Sequence, residues 1–296
     1  MGQTPIHRFA RDLVSDADLR DALTFFVAAF VVLPLLPDSD LGPYGVNPRR
    51  IWLIVVLLTA TGWVGYVAAR VLGARRGLAI TGLAGGFVSA SATTGAMARR
   101  AREPRVRRAA LAAAILASVS TLVLLTAICP YVSRDVLRAL APSLACGVLA
   151  LLVTVGILLL HPAAGGTALP VSTDDNPARP FALGPAIALA LVLTAALFVG
   201  RWGAATFGSA GAVTVSGLAG VADAHAGSLA AAQLAADGQI PVSTAVFAIG
   251  APLATNTALK MLLAVAAGGW RVGVTYVALM VAPVMAFAVP LLLLAQ

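Results

Sequence analysis

The chain has 296 residues, of which 60% are hydrophobic and only 11% charged, with a formal net charge of +8. Soluble domains carry roughly 45–50% apolar and about 25% charged residues, so the composition excludes an ordinary soluble domain and indicates an integral membrane protein. The positive balance does not imply a nucleic-acid partner, because the arginines sit between apolar runs, where they orient membrane proteins, and no basic stripe is interleaved with aromatics.

In chain order, residues 1–20 form a polar surface segment with no evident signal peptide. It ends in Ser15-Asp16-Ala17-Asp18-Leu19-Arg20, a helix-start pattern. Apolar run 22–36 is expected to stop at Pro34 and Pro37, and with its Gly- and Pro-rich loop it makes an extra N-terminal transmembrane helix over 21–50. Runs 51–72, 78–98, 109–129 and 139–160 make up a first repeat, 51–160. A polar linker over 161–180 follows, and a second repeat, 181–296, holds runs 181–200, 208–235, 242–265 and 271–295. Several runs reach the roughly 20 residues that a spanning helix needs. Spanning strands would show short alternating segments instead, and none appear. The expected fold is therefore an all-α integral membrane protein.

The repeats are recognised by a duplicated signature. Thr81-Gly82-Leu83-Ala84-Gly85 returns as Ser216-Gly217-Leu218-Ala219-Gly220. Each copy continues with small and polar residues, Ser89 to Ala96 in the first and Asp223 to Ala230 in the second, once one residue between Gly85 and Ser89 is dropped. Gly82, Gly85, Gly86, Gly217 and Gly220 are read as structural breaks, with Ser89 or Ser91 capping a half-helix over Ala92 to Arg100 and Asp223 capping one over Ala224 to Ala236. The same glycines also suit close helix packing.

Arginine placement distinguishes two topologies. If both signature segments cross fully, 10 arginines lie inside and 9 outside. If both dip in and return, the inside holds Arg8, Arg11, Arg20, Arg70, Arg75, Arg76, Arg99, Arg100, Arg102, Arg105, Arg107, Arg108, Arg179 and Arg271, which is 14, and the outside holds Arg49, Arg50, Arg134, Arg138 and Arg201, which is 5. Only the second arrangement obeys the positive-inside rule. It predicts two inverted repeats, each with three spanning helices and a broken or re-entrant signature segment, as in many transporters. The N-terminus is then cytoplasmic, in an inner or plasma membrane of prokaryotic type.

The chemistry-bearing residues cluster in and after the signatures. Ser89, Ser91, Thr93 and Thr94 supply hydroxyls from the first half, while Asp223, His225, Ser228, Asn256 and Lys260 come from the second. Asp223 is an acidic residue deep in an apolar region, an expensive placement that points to function. His225 beside it suits a proton relay or, as a weak two-residue set with Asp223, a metal. Asn256 and Lys260 stand one turn apart on one helix face. Lys260 is free to snorkel to the interface, to pair with Asp223, or to attract an anion. The place in the first half that corresponds to the cluster Thr255-Asn256-Thr257 and Lys260, Ser118 to Val123, keeps hydroxyls and lacks the Asn and Lys. Cys129 and Cys146 read as small buried hydrophobes. No zinc-protease, nucleophile-elbow, Walker or Rossmann motif is present, so the chain does not read as an enzyme and calls for no cofactor.

Several stretches carry a family resemblance. They include Val31 to Pro37, Gly42-Pro43-Tyr44, Asn47 to Trp52, Gly73 to Gly77, Gly82 to Ser89, Ala98 to Ala101, Ser216 to Asp223, and Asn256-Thr257 with Lys260. From about residue 20 onward the chain resembles the membrane domain of unknown function found after MgtC/SapB domains. It departs from that pattern at Ala90 and at His225, where a second acidic residue is usual. The resemblance implies an association with magnesium physiology.

These readings together predict a channel or transporter for a small inorganic ion, with its path between the two signature segments. A cation is favoured because of Asp223 and the resemblance. An anion path built on half-helix N-termini and Lys260, and a non-transporting module that regulates another protein, are the alternatives. The expected partners are the lipid bilayer and the ion, and small-residue faces suggest a homodimer.

Overall fold

The computed structural model describes residues 16–42, 45–73, 77–160 and 183–293. Most of the N-terminal surface segment, Arg75, Arg76 and the linker 161–180 lie outside the described residues. Among the described residues all named elements are helical, and a single bridge joins Leu41 to Val46.

Helix α1 begins as Asp16–Val27, widens into a π turn at Ala28–Val32 and ends as Leu33–Leu35. Pro34 therefore does not stop it. The wide turn just before Pro34 accommodates the missing donor. The stop comes at Leu36, which is extended ahead of Pro37, as a residue preceding proline prefers to be. The π-turn carbonyl of Ala28 accepts the Trp52 indole N–H at 2.9 Å, which ties α1 to α2.

Helix α2, Pro48–Gly73, starts with proline at its first position. Asn47 caps it by accepting the N–H groups of Arg49 and Arg50 at 3.1 and 3.2 Å. Then come α3, Leu78–Arg100; α4, Arg107–Val132; α5, Arg134–Leu160; α6, Leu183–Ala222; α7, Ala224–Ala236; α8, Val242–Gly268; and α9, Trp270–Leu293. Six of these, α2, α4, α5, α6, α8 and α9, are long and apolar enough to cross a membrane; the apolar part of α1 is shorter.

Helix α4 is the core of the molecule. Its run Ala110 to Ile115 is buried all round. The small side chains let α3 approach closely, and α2, α5 and α7 cover the remaining faces. The outward faces carry Leu149, Leu152, Val153 and Ile157 on α5 and Val281, Met285 and Leu292 on α9. Contiguous exposed apolar faces of this kind suit lipid rather than water. Cys129 is buried in α4, whereas Cys146 is exposed on α5 and is not the buried hydrophobe expected.

Three points interrupt the helices. Ser89 (φ −159°, ψ 104°) divides α3 into α3a, residues 78–88, and α3b, residues 90–100. Gly208 divides α6 into α6a, residues 183–207, and α6b, residues 209–222, with φ +63°, which glycine alone adopts readily. Asp223 (φ −156°, ψ 124°) separates α6b from α7. Neighbours show where the pieces go. Gly82 and Gly86 of α3a sit on Ala113 and Ala117 of α4, while α3b ends close to the start of α4. Gly85 faces Thr93 across the Ser89 break. Similarly, Ser209 at the start of α6b bonds Thr244 at the start of α8 at 3.2 Å, and Gly227 of α7 lies against the Ser216 carbonyl of α6b.

Charge follows this arrangement. At one end of the bundle Gly268 closes on the Ala98 carbonyl, which brings Arg99, Arg100 and Arg271 together. At the other, Asp237 pairs with Arg201 and lies 3.8 Å from Arg50, and Arg201 also donates to the Gly45 carbonyl at 2.6 Å.

Candidate functional site

The site forms where the two backbone breaks approach each other. A single extended residue in each segment ends one half-helix and opens the N-terminus of the next. That residue's side chain takes one of the freed N–H groups. The Asp223 carboxylate accepts the Ala226 N–H at 2.7 Å, and the Ser89 hydroxyl accepts the Ala92 N–H at 3.4 Å. Each half-helix N-terminus carries the partial positive charge of its aligned peptide dipoles.

Asn256 on α8 bridges the breaks. Its amide nitrogen lies 3.4 Å from the Ser91 hydroxyl of the first segment and 3.5 Å from the Gly220 carbonyl of the second. One turn further on, Lys260 is only 2% exposed. Its ammonium donates to Thr121 at 3.2 Å and Ser118 at 3.4 Å, both on α4 of the other half. Lys260 therefore does not snorkel. The turn of α8 that carries it faces α4, and the side chain ends among hydroxyls instead of at a surface. Nor does it pair with Asp223. That carboxylate acts on it through space, but among the described residues no acidic oxygen lies within ion-pair distance of the ammonium.

Asp223 is about one-third exposed, and its oxygen stands 3.6 Å from His225 Nδ1. His225 Nε2 and the Ser228 hydroxyl are buried without a hydrogen-bond partner among the described residues. The two-residue metal set gains no third member, since no group of three or more His, Cys, Asp or Glu gathers among the described residues. Thr94 is fully buried and uses its hydroxyl on the Ala90 carbonyl at 2.8 Å; Thr93 packs on Gly85. Ser91, Asn256 and Lys260 thus meet at the seam, Asp223 and His225 form a second group at the α7 N-terminus, and the two threonines lie within the packing.

The predicted glycine breaks are corrected. Gly82, Gly85, Gly86, Gly217 and Gly220 all have helical backbones, and the breaks fall at Ser89 and Asp223. The glycines serve close approach. A Cβ on Gly86 would stand 2.5 Å from the Ala117 Cα, and one on Gly220 would collide with the Pro252 backbone. The register of the repeat also shifts. Ser120 donates to the Leu83 carbonyl at 2.8 Å and Thr255 to the Gly217 carbonyl at 2.7 Å. Leu83 and Gly217 stand equally far before their breaks, so Gly86, not Gly85, is the counterpart of Gly220.

Two participants are absent from the sequence reading. Tyr276 on α9 is fully buried with its hydroxyl toward Ser118 and Thr94, yet it closes no hydrogen bond among the described residues. A lone tyrosine inside an apolar run was its available signal. Gly208 was visible only as a glycine between Phe207 and Ser209.

Residues 56–268 match the family described as Domain of unknown function (DUF4010), and the chain belongs to that family. No curated protein and no solved structure matches the chain.

Proposed function

We propose that this member of the family is a membrane channel or carrier for a small inorganic ion, with the path running where the two broken segments meet. In this reading α2–α5 and α6–α9 are inverted repeats, α1 stands outside them, and each broken segment is re-entrant. The arm lengths support it. At 1.5 Å per residue, α3a and α3b are each about 16 Å long and α6b and α7 about 20 Å, short of the roughly 30 Å hydrocarbon core and suited to tips near its middle. The division of arginines between the bundle ends supports it as well, with the α3b–α4 end cytoplasmic in a plasma membrane of prokaryotic type.

The observation that carries the proposal is Lys260. A charged group inside a membrane protein is costly and is characteristically kept for ion handling. This ammonium is buried one turn along α8 from Asn256, which bridges the two breaks, and is held by neutral hydroxyls. That combination favours an anion over the cation expected from sequence. Purified protein in liposomes, challenged with a panel of anions and cations, is expected to pass a small anion, and Lys260→Met is expected to lower the flux at least about tenfold. Absence of flux for every ion would overturn the reading and leave a regulatory membrane module.

The cation reading retains one specific support, the partly exposed Asp223 beside His225. If it holds, Asp223→Asn abolishes a cation flux that Lys260→Met leaves intact. A magnesium association has the family resemblance alone behind it. Small-residue faces remain the argument for a homodimer.

A further inference from the structure

A cleft of about 490 Å³ opens between α4, α5, α8 and α9. Its walls are almost wholly apolar, with Leu122, Leu151, Phe247, Met280, Phe287 and Leu291 among them. The polar groups in its lining are Ser118, Thr121, Asn256, Thr257 and Lys260, the first two and the last forming one hydrogen-bonded cluster. The volume lies in the range of small-molecule sites, which are mostly apolar with a few convergent polar groups.

We infer that this cleft binds a long-chain carboxylate, with its hydrocarbon tail along the apolar walls and its carboxylate on Lys260. The charge pattern favours an anion at the inner end, because Lys260 is buried and hydrogen-bonds only to hydroxyls, and Asp223, which acts on it through space, is not within ion-pair distance. The walls require a tail. A bare inorganic ion gains nothing from leucine and phenylalanine, whereas an alkyl chain packs against them through many dispersion contacts.

Depth decides between a single-chain acid and a bilayer phospholipid. Lys260 stands one turn beyond Asn256, the residue that bridges the breaks, and about 12 Å along α8 from its end at Gly268. A phospholipid headgroup stays at the interface. A small carboxylate can be carried to that depth, with its tail extending past the α5 and α9 side chains that face lipid. The inference uses the same lysine as the ion reading, but occupancy of the cleft does not depend on ion movement.

The test uses the full chain in nonionic detergent and a hexadecanoate bearing a diazirine. Photolabelling is expected on α5, α8 and α9, competed by hexadecanoate at least about tenfold better than by hexadecanol. Lys260→Met is expected to lower labelling at least about tenfold, and Lys260→Arg to retain it. Ala258 is exposed and lines the cleft, so Ala258→Trp fills the cavity without entering the core and is expected to block labelling with the melting temperature preserved. The inference is overturned if hexadecanol competes equally, if Lys260→Met labels normally, or if phosphatidylglycerol displaces the probe while hexadecanoate does not. Cross-links showing a second copy seated in the cleft would also overturn it. Labelling without ion flux would break the ion reading alone, and flux without labelling would break this one alone.

Discussion

The two broken segments share a geometry and differ in chemistry. Ser89 and Asp223 have nearly the same extended backbone, and each caps the N–H three residues on. In each segment a glycine three residues before the break lets the helix close on its neighbour, and a hydroxyl from that neighbour bonds a carbonyl at the same position. Around these common parts the first half places serine and threonine, and the second places Asp223, His225, Asn256 and Lys260. The shared features are those that backbone hydrogen bonding inside an apolar molecule demands of any broken helix. The unshared ones are not needed to make the break, which is why they are the candidates for function.

The largest test of this comparison strikes what the halves share. Gly86→Val and Gly220→Val both drive side-chain atoms into a neighbouring backbone. Each is expected to cost about 3 kcal/mol, read as a lower melting temperature and loss of monodisperse protein in detergent. If only one were damaging, the structural equivalence would fail.

Next comes the sharpest difference. Lys260→Met is expected to reduce anion flux at least about tenfold while the melting temperature holds or rises, because an apolar side chain of similar size removes a desolvated charge. Its positional counterpart in the first half is Leu125, which is already apolar and buried. Smaller again is the contrast between caps. Asp223→Ala is expected to cost about 1 kcal/mol and Ser89→Ala about 0.5 kcal/mol, measured by thermal unfolding, because the carboxylate bond is the shorter and carries charge. Asp223→Asn keeps the cap and removes the charge, so it separates stability from ion movement. The smallest effect belongs to Gly95, where a Cβ meets nothing within 4 Å. Gly95→Ala is expected to raise stability by up to about 1 kcal/mol through helix propensity, a gain unavailable at Gly86 or Gly220.

Much of the fold was legible because membrane helices announce themselves by length and composition. The apolar runs predicted the six long helices, and Asp223 was recognisable as a cap with Ala224 to Ala236 as its helix, the bounds that α7 has. The glycines were misread because a glycine serves equally for bending and for close approach, and the choice depends on what lies opposite. Gly82 and Gly86 face alanines of α4, so the helix stays regular through them. Pro34 was misread because one widened turn upstream absorbs the missing donor.

Lys260 shows most plainly where sequence information ends. Its position near the end of an apolar run is compatible with snorkelling, with an ion pair or with an anion site. Those options differ only in what surrounds the ammonium. Composition, helix number, the duplicated caps and the chemical lopsidedness of the halves are local properties, written in residue type and spacing. The side-chain direction of Lys260, the contact roles of the glycines and the cleft that opens on α5 and α9 depend on packing between helices far apart in the chain, and only the tertiary structure decided them.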